Sequence, residues 1–164
     1  MKHVTIYTDG GCDPNPGPGG YGVVLLFGEH RKELSGGYRL TTNNRMEITA
    51  VIVGLRALNE PCQVTLHSDS QYVVNAMNQG WVTRWRAKGW MRNKTKPALN
   101  SDLWQQLLPL LDTHAVEFVW LRGHTGNQDN ERCDELAKQA ARQTNLPPDQ
   151  AYEQPQLKQS SLFS

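Results

Sequence analysis

Val4, Ile6 and Thr8 alternate with Thr5, Tyr7 and Asp9, a period of two that predicts a strand ending at Asp9. Eight of the eleven residues from Gly10 to Gly20 are Gly or Pro, so regular structure is expected to stop there. Tyr21–Phe27 reads as a buried strand and Arg31–Tyr38 as a third, completing an antiparallel meander. The period then changes: Arg45–Leu58 carries Met46, Ala50, Val53 and Ala57 at helical spacing. Val64–Ser68 is a short strand ending at Asp69, and Ser70–Met77 reads as a helix. Trp81–Lys88 is a short basic helix that Gly89 can stop, and Trp90–Asn100 is loop-like. Asp102–His114 is helical, with Pro109 predicting a kink or an early end. Val116–Leu121 gives a fifth strand, Arg122–Asn130 a polar loop around His124, and Glu131–Arg142 a last helix.

The order strand, helix, strand predicts a right-handed crossover that sets strand 4–8 parallel to strand 64–68. Asp9 and Asp69 then stand on one edge of the sheet, where open α/β sheets bind ligands. The expected class is α/β: a five-stranded mixed sheet, three strands antiparallel and two parallel, flanked by helices. The expected organisation is one domain over 1–142 and a flexible tail over 143–164, where Pro, Gln and Ser dominate.

Composition narrows the possibilities. The chain has 164 residues, enough for one domain with a sizeable core. No apolar run is long enough to span a bilayer, and strand pattern begins directly after Met1, so no leader is expected. Cys12, Cys62 and Cys133 are widely spaced, which argues for reduced thiols in the cytoplasm and against a disulfide frame or a zinc site. Net charge is only +1, but Ser70–Ser101 has no acid and six bases: Arg84, Arg86, Lys88, Arg92, Lys94 and Lys96. A positive lobe follows.

Four acids carry the candidate chemistry. Asp9 and Asp69 end neighbouring strands, Glu47 lies in the first turn of the crossover helix, and Asp134 lies near the start of the last helix. Carboxylates this close repel unless cations neutralise them. Mg²⁺ suits all-oxygen ligands, and two such ions roughly 3.5–4 Å apart can activate water and stabilise the leaving oxygen of a phosphodiester. Each acid also has an ordinary explanation. Glu47 has capping-box spacing from Asn44, Asp69 could cap the next helix, Asp134 could pair with Lys138, and Asp9 could form a turn before Gly10. The shared sheet edge favours a site over four coincidences.

His124 is the candidate proton carrier, against the alternative of an exposed surface group. The bases of the positive lobe, interleaved with Trp81, Trp85 and Trp90, suggest phosphate contacts and aromatic packing along a nucleic acid; the tryptophans could equally anchor the helix. Asn15, Thr42, Asn43, Asn44 and Gln71 lie in loops beside the acids and could bond sugar hydroxyls and base edges, or serve only as turn and cap residues.

The segments TDGGCDPNPGPGGYG, TTNNRMEI, SDSQYV, WVTRWRAKGW, DLWQQL and GHTGNQDNERCDELA occur in the order seen in bacterial type 1 ribonuclease H. The resemblance runs from Val4 to about Ala141. It implies an RNase H-like fold with a basic protrusion. It also implies endonucleolytic hydrolysis of the RNA strand of RNA–DNA hybrids, with Mg²⁺ or Mn²⁺, leaving 3′-hydroxyl and 5′-phosphate ends. By this similarity Asp9, Glu47, Asp69 and Asp134 hold two metal ions, and His124 assists proton transfer or product release. Cys12, Asn15, Asn43, Asn44 and Gln71 match residues that contact the hybrid, and Thr42 a DNA-phosphate contact. Trp81, Arg84, Trp85, Arg86, Lys88 and Trp90 match the gripping protrusion. Ala87 interrupts the basic run, and Asn78-Gln79-Gly80 lengthens the lead into it. The expected partner is an RNA–DNA hybrid and not a membrane, and the chain is expected to act as a monomer. Two other readings stand beside this one: a hybrid- or single-strand-binding protein that does not cut, and a DNA nuclease or resolvase of the same topology.

Overall fold

The computed structural model describes residues 1–154. Its sheet has the order β3-β2-β1-β4-β5, built from β1 (Lys2–Cys12), β2 (Gly17–Phe27), β3 (His30–Thr41), β4 (Cys62–Ser68) and β5 (Ala115–Trp120). β1 pairs antiparallel with β2 and β2 with β3, while β1–β4 and β4–β5 are parallel. The mixed sheet is therefore the one the alternation predicts. Its first three strands run longer than expected, because Gly10–Cys12 pairs with Gly19–Tyr21, and Gly17 and Phe27 of β2 pair with Thr41 and His30 of β3. The Gly-rich stretch continues as sheet beyond Asp9; glycine leaves backbone donors and acceptors free to pair.

Helices cover the two faces. α1 (Asn43–Arg56) crosses from β3 to β4, and Ile48, Val51, Ile52 and Leu55 pack with Val4, Ile6, Val23, Leu25, Val64 and Leu66. α2 (Gln71–Asn78) and α4 (Ser101–Thr113) join this layer through Val73, Val74, Leu103, Trp104 and Leu107. On the other face α5 (Gln128–Ala141) sets Cys133 and Leu136 against Val24, Tyr7 and Leu26. α5 lies unusually close to β2. A Cβ placed on Gly22 would stand 2.3 Å from the Cys133 carbonyl oxygen, and one on Gly20 2.1 Å from that of Ala137. Only glycine permits that approach.

α4 runs unbroken through Pro109, so the expected early end does not occur. Pro109 is exposed, while Leu103, Trp104 and Leu107 are buried on the inner side; their burial outweighs one missing backbone bond. α3 (Trp81–Ala87) is the short basic helix, and Gly89 follows it at φ +65.

The expected tail over 143–164 is corrected for its first part. Residues 150–154 form a helical turn, and Asp149 is buried at 7% exposure. Asp149 accepts from Thr41 Oγ1 at 2.8 Å and from Arg45 Nε at 2.7 Å, and the Pro147 carbonyl accepts from the Arg39 amide at 3.0 Å. Polar composition suggested a solvated end, whereas specific partners on β3 and α1 hold this segment to the body. The remainder of the expected tail, 155–164, lies outside the described residues.

Candidate active site

The parallel pairing of β1 with β4 ends at Thr8 and Ser68. The next residues, Asp9 and Asp69, thus leave the ladder side by side. α1 brings Glu47 to them from one face. A Cβ on Gly10 would lie 2.4–2.6 Å from the Met46 and Glu47 backbone, so the strand and helix touch at a glycine. α5 brings Asp134 from the other face, through the close approach at Gly22. Asn43, Asn44, Glu47, Asp69, His124 and Asp134 line one cleft of about 500 Å³ together with Asp9.

Glu47 and Asp134 each fall in the second turn of their helices, not the first. The capping explanation of Glu47 fails: Thr42 caps α1, its hydroxyl accepting from the Arg45 amide at 3.2 Å. The capping explanation of Asp69 fails too, because Ser70 caps α2 and accepts from the Val73 amide at 3.2 Å. Asp134 does form the expected pair with Lys138, at 2.9 Å. Asp9 Oδ1 does accept from the Gly10 amide at 2.9 Å.

One oxygen of each of Asp9, Glu47 and Asp69 lies within 4.8 Å of the others. Burial, reinforced by the neighbouring Asp69 and Asp134 charges, pushes the Asp9 carboxyl up to about 7. Burial first, then the Asp9 charge, holds Glu47 well above the usual carboxylate range. Burial also raises Asp69. Glu47 Oε2 is buried with no hydrogen-bond partner. A buried acceptor without a donor, facing two more carboxylates, fits a cation. The donor set is all oxygen, which suits a hard divalent ion and not zinc. Asp9, Glu47 and Asp69 form the cluster proper, and Asp134 faces the same cleft while paired to Lys138.

The loop residues assemble around this centre. Cys12 N donates to Asn43 Oδ1, and Asn43 N donates to Asn15 Oδ1 at 3.1 Å, so three predicted contact residues form one hydrogen-bonded group. Asn15, Asn43, Asn44 and Gln71 are exposed. Burial pushes the Cys12 thiol up to about 11, which favours its neutral form. His124 is exposed, at φ +59 in the left-handed region. The neighbouring Gly123 packs directly on Asp69, its Cβ position 2.7 Å from Oδ2.

The basic segment divides by residue type. Trp81, Trp85 and Trp90 are half-buried and pack on the core, with Trp81 and Trp85 ring centroids 6.2 Å apart and Trp85 and Trp104 6.4 Å apart. Arg84, Arg86 and Lys88 are exposed, and among the described residues none of them forms an ion pair. The tryptophans anchor the lobe; Arg84 Nη1 donates to the Gln79 carbonyl at 3.0 Å, and the charges point to solvent without an acidic partner among the described residues.

Sequence reasoning did not find Arg45. It is buried at the start of α1, where the helix dipole disfavours a cation, and that position is itself the signal of an acidic partner.

Known proteins resemble this chain over most of its length. The RNase H family model matches residues 1–142. A ribonuclease H of Syntrophus aciditrophicus is 65% identical over 152 residues, 93% of this chain and 88% of that protein. One from Desulforamulus reducens is 62% identical over 149 residues, 91% of this chain and 94% of that protein. Among solved structures, LC9-RNase H1, a type 1 RNase H, superposes with a TM-score of 0.77 at 34% identity, covering 86% of this chain and 72% of that one. LC11-RNase H1, solved in complex with RNA/DNA hybrid, gives 0.63 at 28% identity, covering 84% and 96%. On the match over 1–142 and the identity of these relatives, the chain belongs to the RNase H family.

Proposed function

We infer that this chain is an endonuclease that hydrolyses the RNA strand of RNA–DNA hybrids. The observation that carries the reading is the unpartnered buried Glu47 Oε2 beside Asp9 and Asp69 in a chain of this family. Asp9, Glu47 and Asp69, with Asp134 across the cleft, would hold divalent metal, and Mg²⁺ in two positions is the assignment we propose. Such ions supply charge neutralisation at the phosphate and activation of water.

The chain's own groups account for the remaining requirements. The carboxylates hold the positions of charge, carried at two strand ends and on two helices. His124, exposed at the cleft wall, would assist proton transfer at the departing oxygen or product release. Asn15, Asn43, Asn44 and Gln71 offer amide donors and acceptors to sugar hydroxyls and base edges, which is where RNA differs from DNA. Thr42 and the Cys12 backbone belong to the same surface. Arg84, Arg86 and Lys88, with Trp81, Trp85 and Trp90 as anchors, grip phosphates away from the acids. Recognition follows backbone shape and the 2′-hydroxyl more than sequence. The proposal extends to 3′-hydroxyl and 5′-phosphate ends, a monomer, and a cytoplasmic location suggested by three free thiols.

Cleavage of labelled RNA–DNA, RNA–RNA, DNA–DNA and single-stranded RNA, with Mg²⁺, with Mn²⁺ and with chelator, tests this reading. Metal-dependent cutting confined to the RNA of the hybrid is expected. Equal cutting of duplex RNA or DNA, or cutting in chelator, would overturn it.

A further inference from the structure

Residues 147–153 lie beyond the span that the family model matches, yet they grip the segment next to the acids. Arg45, the third residue of α1, has a side chain only 6% exposed. Its Nε and Nη2 donate to the two oxygens of Asp149 at 2.7 and 3.0 Å. Its Nη1 and Nη2 donate to the two oxygens of Asp102 at 2.9 and 2.8 Å. One guanidinium therefore makes two bidentate contacts, the strongest geometry such a group has. Asp149 also accepts from Thr41 Oγ1 at 2.8 Å. Thr41 ends β3 and Arg45 lies in the first turn of α1. Between them stand only Thr42, Asn43 and Asn44.

Two further contacts extend the clasp. The Arg39 amide donates to the Pro147 carbonyl at 3.0 Å, and Arg39 Nε donates to Glu153 Oε1 at 3.1 Å. On its other side Arg45 reaches Asp102 at the start of α4, where the basic lobe rejoins the body. The buried charges are matched by direction, and removing one would leave the others unpaired. Such a clasp holds both ends of the Thr42–Asn44 segment, at Thr41 and at Arg45. Asn43 is the point where the clasped segment meets β1 and the loop after it, through Cys12 and Asn15.

We propose that Asp149, acting through Thr41 and Arg45, is a positioning residue for the hybrid: the 147–153 segment sets Thr42–Asn44 in the geometry that binds nucleic acid. The proposal rests on the assignment of Thr42, Asn43 and Asn44 as hybrid contacts.

The test is the dissociation constant for a labelled RNA–DNA hybrid, measured in chelator well below the melting temperature, together with KM and kcat in Mg²⁺. Asp149→Ala is expected to weaken binding and raise KM about tenfold, the scale of one charge-assisted hydrogen bond, with kcat within about twofold of the parent. Asp149→Asn and Thr41→Val, which keep packing and remove a charge or one hydroxyl, should give smaller losses of the same kind. They also serve if Asp149→Ala does not fold. Combined with Asn43→Ala, the losses should be less than multiplicative, since both act on one contact. A lower melting temperature with unchanged binding in all three variants would overturn the proposal and make the clasp structural only. Loss in Asn43→Ala and Asn44→Ala with parental binding in Asp149→Asn and Thr41→Val would also overturn it alone. Parental binding in Asn43→Ala and Asn44→Ala would overturn the contact assignment, and the proposal with it.

Discussion

Asp9 and Glu47 accept from the same backbone amide: Gly10 N donates to Asp9 Oδ1 at 2.9 Å and to Glu47 Oε1 at 3.2 Å. A single N–H thus spaces two carboxylates that would otherwise repel. It leaves the second oxygen of Glu47 without a partner. The spacing depends on Gly10, because the helix backbone occupies the place of a side chain there.

Gly10→Ala should damage both stability and activity. Its Cβ would lie 2.4 Å from the Met46 carbonyl carbon, which is backbone and cannot rotate away. Overpacking of this kind costs about 1–3 kcal/mol, and Glu47 would be pushed off the cluster. Thermal melting and hybrid cleavage should both show the loss. Parental cleavage would mean that strand and helix separate without cost.

Asp9→Asn should be folded, bind hybrid and scarcely cut it. Removing the charge leaves too few carboxylates to neutralise divalent ions. In the proposed reading phosphate contacts come from Arg84, Arg86 and Lys88 on a separate lobe, so binding should persist. Near-parental cleavage would refute the metal-cluster reading.

The metal-free protein should lose stability as pH rises from about 4 to about 7. The folded carboxyl of Asp9 titrates near 7, above its ordinary 3.8, so across that window the folded state holds a proton that the unfolded state has released. The contribution is complete below the unfolded value and is lost as pH rises through the folded one. Melting in chelator across this range should show a fall that is shallower in Asp9→Asn. Equal slopes for variant and parent would place Asp9 in an ordinary carboxylate environment.

Changing Arg84, Arg86 and Lys88 to Ala should weaken hybrid binding without sequence preference. Each lost phosphate contact lowers the log–log salt slope by about 0.9 for B-form DNA. Turnover at saturating substrate should stay near parental. An unchanged slope would mean that these exposed side chains do not reach phosphate.

His124→Ala should slow turnover, since a positioned acid or base contributes about 10²–10⁴-fold. Residual activity should remain, because the carboxylates are untouched. Parental turnover would return His124 to an exposed loop residue.

The sequence alone determined the number and order of the strands, most helices and the adjacency of Asp9 and Asp69. Those features follow from local periodicity and from one handedness rule, which need no distant information. Val4 to Thr8 alternates because its neighbours on two faces differ, and the crossover can close only one way. The four acids and the proposed hybrid contacts were nameable because they lie in short segments that resemble those of a known family. Tertiary structure decided the rest. Only packing shows that Glu47 Oε2 is buried without a partner, that Asp134 stays with Lys138, and that the tryptophans turn inward while Arg84, Arg86 and Lys88 stay exposed. Only packing could join Arg45 to Asp149. The two lie 104 positions apart, and the polar composition after Gln143 reads as solvated chain. A long-range ion pair leaves no periodic trace in either segment, because its energy depends on desolvation and geometry that exist only once both segments are folded.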